Sequence, residues 1–482
     1  MPGPSHYMAG NTLMKILAEQ GHEVTIVAVL SENNPPKNFK QVVLTGVFED
    51  FMANINLFEK HTESLTFSVI IHSIFANAMT ENLYGHENFQ KLMKSGETFD
   101  LVIMEDFLFE GIKYVAHHFN APLIVYSTVD ATVWMNPYQG NPDSPSYAPL
   151  YYLSTLDCEM TFFQRTQNTF AYLLEHFVRH LYRIPRQNSI VHKYYPDAPD
   201  LNNIIYNVSL ALLNADSSVQ EPLPRVPSMV NIGGFHIKTP KPLPKDLLEE
   251  IESSKDGVIL FTLGSTVKSK DMPEDIVKIL LKTFSKLKQK VLWKYEDENL
   301  IGCPENVIIR KWLPQNDILA HKNVKLFITH GGLFSIMETI YHGVPILALP
   351  VFSDQAANSK RAVANGIGKL IPFHELQENI LDAYLEEVLN NPKYKENAVK
   401  RSQIMLDKPM TPADSLNYWV NYVIRHNGAS HLRVSSLNLA WYQYLLLDVV
   451  LFISLLSIIL FYITKLIFKR LLRKISKKEK TT

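Results

Sequence analysis

Cysteine is nearly absent from this chain: Cys158 and Cys303 are the only two in 482 residues. They stand far apart, so no disulfide framework is expected and the redox compartment cannot be read from them. Charge of either sign is in no surplus. The 47 Lys and Arg against 48 Asp and Glu leave a net charge of -1. No basic field exists to hold a nucleic-acid backbone, and nucleic acid is not expected as a partner. A G-x-G-x-x-G run after a first strand is missing, which leaves a nicotinamide-dependent (NAD-type) oxidoreductase only as a distant alternative. No His/Cys group has metal-ligand spacing, so no metal and no cofactor are expected. Met1 is followed at once by "PGPSHYM", without the apolar core of a signal peptide. The expectation is a shortened chain, or one whose start lies upstream. Its first domain would then lack its first strand and carry a gap in its sheet.

One long apolar run is present. From Tyr444 to Ile463, "YLLLDVVLFISLLSIILFYI" carries a single charge, Asp448. That is about the 20 residues a helix needs to cross a bilayer. Trp441, Tyr442 and Tyr444 stand at one edge as interfacial aromatics, and "KLIFKRLLRKISKKEKTT" follows. The positive-inside tendency places this tail in the cytoplasm and everything before Trp441 across the membrane.

The rest alternates strand and helix. A helix over about Tyr7–Gln20 precedes the strand "HEVTIVAVL", residues 51–95 read as helical, and "FDLVIM", "APLIVYST" and "VSLALLNAD" read as strands. The last of these is taken as the final strand of the first half. Proline is dense from Pro222 to Pro244, which marks a connection between domains. The alternation then restarts with "GVILFTLGS", "KVLWKY", "NVIIRKW", "VKLFITH" and "PILALP". Such a pattern implies parallel sheets covered on both faces. The fold class is α/β: two doubly wound Rossmann-like domains plus a C-terminal transmembrane helix. The expected boundaries are 1–221, a linker over 222–245, 246–440, a membrane helix over 441–464 and a basic tail over 465–482.

In an open parallel sheet, ligands bind at the carboxyl ends of the strands. His330-Gly331-Gly332 stands at such an end, where glycine lets backbone approach a ligand and the next helix offers unpaired N–H groups to a diphosphate. Trp312-Leu313-Pro314-Gln315 lies upstream, Glu338 lies eight residues beyond His330, and Asp354-Gln355 closes the set. This constellation resembles the signature of the UDP-glycosyltransferases, in particular the membrane-bound animal branch and its insect members. The likeness runs from "PGPSHYM" to the basic tail.

The resemblance implies a fold of the GT-B type and a role for each residue. Trp312 would stack on uracil, Gln315 would contact the uridine and Glu338 the ribose hydroxyls. His330, with the backbone around Gly332 and Ser335 and with help from Ser265, would hold the diphosphate. Asp354 and Gln355 would bind the sugar hydroxyls. Each residue also has a plain structural reading. Trp312 could be core, His330 a structural histidine, Ser335 and Glu338 a capping box, and Asp354 a helix cap. Phe334 departs from the pattern, standing where many relatives carry Asn. The relatives' catalytic histidine falls at His6, at the start of the first helix, whose positive end keeps an imidazole neutral and able to accept a proton. Its orienting acid would close the strand "FDLVIM". Glu105 holds that register and Asp106 follows, and only one of the two can face His6 because strand side chains alternate. Asn207-Val208-Ser209 matches a glycosylation sequon but is expected to be poorly accessible beside its strand.

The expected activity is an inverting transfer of a sugar, glucose being the expected donor unit, from a UDP-sugar to a hydroxyl of a small lipophilic acceptor. The alternative is a shortened family member that binds UDP without efficient turnover. The resemblance places the chain in the endoplasmic reticulum membrane, single-pass, with lumenal catalytic domains. Homo-oligomerisation is left open.

Overall fold

In the computed structural model, which describes residues 3–52, 58, 65–150, 156, 159–297 and 300–479, each half of the chain winds strand and helix alternately. Cys158 falls outside the described residues. The first half opens with α1 (Pro4–Glu19), which has Gly3 at its N-cap and Pro4 in its first turn, where a missing N–H is no loss. Ala9, Leu13, Ile16 and Leu17 form its buried face. β1 (Val24–Ala28) pairs in parallel with β2 (Phe39–Val43). A second parallel ladder runs β3 (Val102–Glu105), β4 (Leu123–Ser127), β5 (Leu210–Leu213), β6 (Met229–Asn231). Among the described residues these are separate sheets, with no pairing from β1 to β3.

Helices α2 (Leu65–Gly85), α3 (Phe162–Val178) and α4 (Ile184–Tyr194) cover the first half. α3 begins in a full capping box of Thr161 and Gln164 and runs through a π-helical turn, Arg179–Arg183, into α4. That turn carries a buried ionic cluster. Glu110 accepts from Arg179 Nε at 3.0 Å and from Arg183 Nε at 3.2 Å. Arg183 also donates to Glu175 at 2.7 Å and to Ser73 Oγ, on α2, at 3.0 Å. The cluster thus fastens α2, α3 and the π turn to the segment after β3. Beside it, Lys113 lies over the Tyr138 ring, 3.1 Å from its centre. Burial pushes the Asp106 carboxyl up and the Lys113 ammonium down.

The second half is one six-stranded parallel sheet in the order β12-β11-β10-β7-β8-β9. Its strands are β7 (Val258–Thr262), β8 (Lys290–Lys294), β9 (Val307–Arg310), β10 (Val324–Thr329), β11 (Ile346–Ala348) and β12 (Gly368–Leu370). All of β7 and β11 is buried, as continuous apolar runs in a doubly covered sheet must be. α5 (Gln315–Leu319), α6 (Leu333–Tyr341) and α7 (Gln355–Ala364) follow β9, β10 and β11. α8 (Pro412–Arg425) then returns to the first half, where Leu416, Val420 and Val423 join a core with α1, β1, β4 and β5.

Three strands were not anticipated from sequence. These are β2, β6 and β12; β6 and β12 have three residues each, and β6 lies inside the proline-dense stretch read as linker, so "VSLALLNAD" is not the last strand of its sheet. Asn207 is exposed, contrary to expectation. Residues 433–482 form a unit separate from Met1–Leu432. Within it α9 (Leu447–Glu479) contains Leu447–Arg473, long and apolar enough to cross a membrane. It begins after Leu446, whose φ of 55° is left-handed and breaks the preceding helical turn.

Removing the central acid of the buried cluster tests its weight. Glu110→Ala should lower stability by about 3–5 kcal/mol, because it leaves two buried guanidinium groups without their carboxylate. Chemical denaturation of variant and parent measures the difference.

Candidate active site

β10 ends at Thr329, and His330 turns under the sheet edge into a seat shaped by two glycines. A methyl group on Gly264 would lie 2.6 Å from His330 Cε1, and one on Gly332 2.6 Å from Nε2. Gly264 has a φ of 79° and Gly331 one of 84°, which side-chain-bearing residues rarely adopt. Buried in this seat, the His330 ring is held at about 4 by desolvation and then by the charge of Lys294, so it is neutral. Its Nδ1 has no hydrogen-bond partner among the described residues.

Gly332 is the N-cap of α6, so Ser335 stands inside the first turn and the Ser335–Glu338 capping box does not form. Gln315 takes up these groups instead. Its Nε2 donates to Ser335 Oγ at 3.1 Å and to Glu338 Oε2 at 2.7 Å, while its Oε1 accepts from Thr262 Oγ1 at 2.8 Å. Burial raises the Glu338 carboxyl to about 7, the Gln315 bond opposes this, and Asp317 adds to it. Trp312 is not core: its ring is 67% exposed. Lys294, at the end of β8, lies 5.9 Å from the centre of that ring and donates to Gly264 O at 2.6 Å. Lys294 is a site residue the sequence reading missed. A charged residue closing an otherwise apolar parallel strand was the available signal. Ser265 lies half-buried in the turn after β7.

The Phe334 side chain makes no contact with Gln315, Ser335 Oγ or Glu338 among the described hydrogen bonds and ring pairs. Its ring meets His236 edge-on at 4.3 Å and packs on the core shared by α1 and α8. It therefore helps join the two halves.

Past β11, Ser353 adopts a left-handed φ of 59° and turns the chain into α7. Asp354 occupies the N-cap position but makes no cap bond, and its carboxylate accepts from Asn358 Nδ2 at 2.7 Å. Gln355 Oε1 accepts from the backbone N–H groups of Val351 and Phe352 at 2.9 and 3.1 Å. Asp354, Asn358 and Arg361 line one side of a cavity of about 100 Å³. The other side belongs to the first half, through Val129–Val133, Tyr172 and Gln220.

In the first half, His6 stands in the first turn of α1, and its Nδ1 contacts Glu105 Oε1 at the end of β3. Thr128 Oγ1 is 3.5 Å from the same nitrogen, and the Phe107 ring packs edge-on at 5.5 Å. Burial acts to raise the Glu105 carboxyl, while the charge and hydrogen bond of His6 act to lower it. Asp106 does not reach His6. It faces the opposite side of the strand, accepts a hydrogen bond from Tyr138 and is buried, as strand alternation dictates. Burial raises the Asp354 carboxyl, while Asn358 and the charge of His6 oppose that rise.

The family model described as "UDP-glucoronosyl and UDP-glucosyl transferase" matches residues 3–482. UDP-glycosyltransferase UGT5 of Dactylopius coccus is 37% identical over 93% of this chain and 86% of its own length. UDP-glucosyltransferase 2 of the same insect is 36% identical over 98% and 91%. UDP-glucuronosyltransferase 2B10 of Homo sapiens is 31% identical over 96% and 90%. Among solved structures, the glycosyltransferase VinC in complex with DTDP superimposes with a TM-score of 0.60 at 17% identity, covering 87% of this chain and 97% of that one. That likeness shows the fold, which is GT-B.

The two-glycine seat makes a direct prediction. Gly332→Ala should displace the His330 ring towards water, and its titration should rise from about 4 towards the ordinary histidine value. Histidine-selective NMR across pH reads this. An unmoved titration would mean the ring is not held by that contact.

Proposed function

The chain belongs to the UDP-glucuronosyl and UDP-glucosyl transferase family and is a glycosyltransferase, and on that premise we propose an inverting transfer of glucose from UDP-glucose to a hydroxyl of a small lipophilic acceptor. The observation that carries the reading is the His6–Glu105 pair, with His6 in the first turn of α1 and Glu105 at the end of β3. Glu105 on Nδ1 fixes the tautomer, which leaves Nε2 with the free lone pair. That nitrogen takes the acceptor's proton as the acceptor oxygen bonds to the anomeric carbon. The bond from that carbon to the diphosphate oxygen breaks on the opposite face, and its electron pair leaves with UDP. Glu105 stabilises the imidazolium that forms.

On the donor side, Trp312 offers an exposed ring to uracil and Glu338 its carboxylate to the ribose. Gln315 is spent on Ser335, Glu338 and Thr262, so its role is to hold Glu338 in place for the uridine. The diphosphate meets the α6 N-terminus, neutral His330 and, close by, Lys294 and Ser265, a set that supplies charge without a metal or other cofactor. Asp354 and Gln355 bind the sugar. Glucose is favoured over glucuronic acid because the insect relatives, one of them named a glucosyltransferase, are more similar than the human one. The cavity beside Val129–Val133 and Tyr172 takes the apolar acceptor. The α9 segment anchors the enzyme in the endoplasmic reticulum membrane, with its catalytic halves lumenal and its basic tail cytoplasmic.

A second reading, UDP binding without efficient turnover, draws on one observation: β1–β2 and β3–β6 are separate ladders. Measured turnover of the chain with UDP-glucose and a phenol decides between them.

His6→Ala should lower turnover with an aliphatic alcohol about 10²–10⁴-fold while leaving UDP affinity nearly intact. Nitrophenols, already largely ionised, should lose less. Glu105→Gln should mimic the loss and Asp106→Asn should not. Parent-rate transfer by His6→Ala would remove His6 as the base.

Binding of uridine, which carries no phosphate, should tighten as pH rises from about 6 to 8. The Glu338 carboxylate, which ionises only through about 7, is the form that accepts from both ribose hydroxyls. Glu338→Gln should flatten the profile, as read by calorimetry.

A further inference from the structure

The chain crosses from the first half to the second at His236. Up to that residue it is fastened to the first half. Ile232 N–H donates to Leu213 O at 2.8 Å and Gly233 N–H to Ala215 O at 3.2 Å, and Phe235 is buried in the core shared by α1, β4 and β5. One residue later it belongs to the second half, where Ile237 packs on the core that contains Leu333 and Met337 of α6. The segment then runs along α5. Lys238 O accepts from Asn316 Nδ2 at 3.0 Å, and Lys241 N–H donates to Asp317 Oδ1 at 3.0 Å.

The His236 side chain turns from this crossing onto α6. Its ring meets Phe334 edge-on, and only 10% of the side chain is exposed. Nε2 lies 3.3 Å from Phe334 O and 3.8 Å from Glu338 Oε1. A carbonyl oxygen can only accept, so Nε2 carries the proton. Nδ1 then carries the lone pair, and it is buried without a partner among the described residues. Burial lowers the ring to about 3, against the opposing effect of the Phe334 bond, so the imidazole is neutral. A separation of 3.8 Å is too long for a hydrogen bond. Oε1 is thus left able to accept from a ligand, while the N–H beside it restricts where the carboxylate can turn. The other oxygen, Oε2, is held by Gln315, which lies on the helix that the crossing segment fastens.

We propose that His236 is a positioning residue of the donor site, which sets the Glu338 carboxylate for the ribose hydroxyls from the point where the chain passes between the halves. The inference rests on the ribose role given to Glu338 above. Three observations carry it. His236 and Gln315 address the two oxygens of one carboxylate from different elements. The neutral ring orients that carboxylate without pairing away the negative charge that makes it a strong acceptor for a hydroxyl. A side chain that merely filled this place would be apolar, because a buried nitrogen without a partner costs free energy that a phenyl ring does not. The donor site is therefore not built by the second half alone: one of its supports sits between a residue packed in the first-half core and one packed in the second.

The test measures uridine, and dideoxyuridine, which lacks both ribose hydroxyls, by calorimetry on the full chain. His236→Phe keeps a ring against Phe334 and removes both nitrogens. Circular dichroism and thermal melting establish that it is folded, and His236→Leu replaces it if the phenyl ring disturbs the packing. His236→Phe should weaken uridine about 3–30-fold and leave dideoxyuridine unchanged. His236→Gln, whose amide nitrogen can reach the place of Nε2, should recover most of the loss. In a Glu338→Ala background, His236→Phe should have no further effect on uridine, because no carboxylate remains to be set. Equal weakening of both nucleosides, or the same weakening with and without Glu338, would overturn the proposal and leave His236 a packing residue. So would unchanged uridine affinity in His236→Phe. Parent-like uridine affinity in Glu338→Ala alone is a distinct result, which would remove the ribose role of Glu338 and this inference with it. Each measurement is a binding equilibrium and does not depend on turnover.

Discussion

A strand can pair in parallel with its neighbour only after the chain has crossed back, so every parallel strand delivers its C-terminal end to the same edge of its sheet. The site depends on that constraint. β3 ends at Glu105, β7 runs into Gly264 and Ser265, β8 ends at Lys294, β10 runs into His330 and β11 towards Asp354. Within the second sheet, residues spread over some 90 positions converge because four strands point one way, while Glu105 comes to the corresponding edge of the first-half sheet. The cavity lined by Val129–Val133 on one side and by Asp354, Asn358 and Arg361 on the other lies where the two halves meet.

The edge also explains why so much of the site is glycine and backbone. Ends of parallel strands leave N–H groups at the following helix without partners. A side chain brought to that edge must fit between such groups. His330 does so only because Gly264 and Gly332 leave room on both sides of its ring. Gln315 does the complementary work by joining Thr262, Ser335 and Glu338, which fixes three elements at one point and leaves the Trp312 ring projecting into solvent.

Much of this was legible in the sequence, because apolar runs and their spacing report strands buried on both faces. The alternation in each half, the C-terminal apolar helix and the rule that only one of Glu105 and Asp106 can face His6 all follow from apolar runs and side-chain period. What failed to show was short or non-local. β6 and β12 have three residues each, too few to display a period, and β6 sits among prolines. The capping-box spacing of Ser335 and Glu338 was real, but the helix had already begun at Leu333, and local pattern cannot say which turn is first. Trp312 reads as core by residue type, and only the tertiary fold leaves it exposed. The Glu110–Arg179–Arg183 cluster joins positions about 70 residues apart, a distance over which no pattern in the chain reports a partner.

The return of α8 to the first half has a mechanical consequence. The chain passes between the halves twice, outward through residues 232–245 and back before Pro412. Two bodies tied at two points keep one soft freedom, rotation about the line through the ties. Sliding and twisting motions are resisted by covalent chain, so the cleft between the halves opens and closes along a single arc.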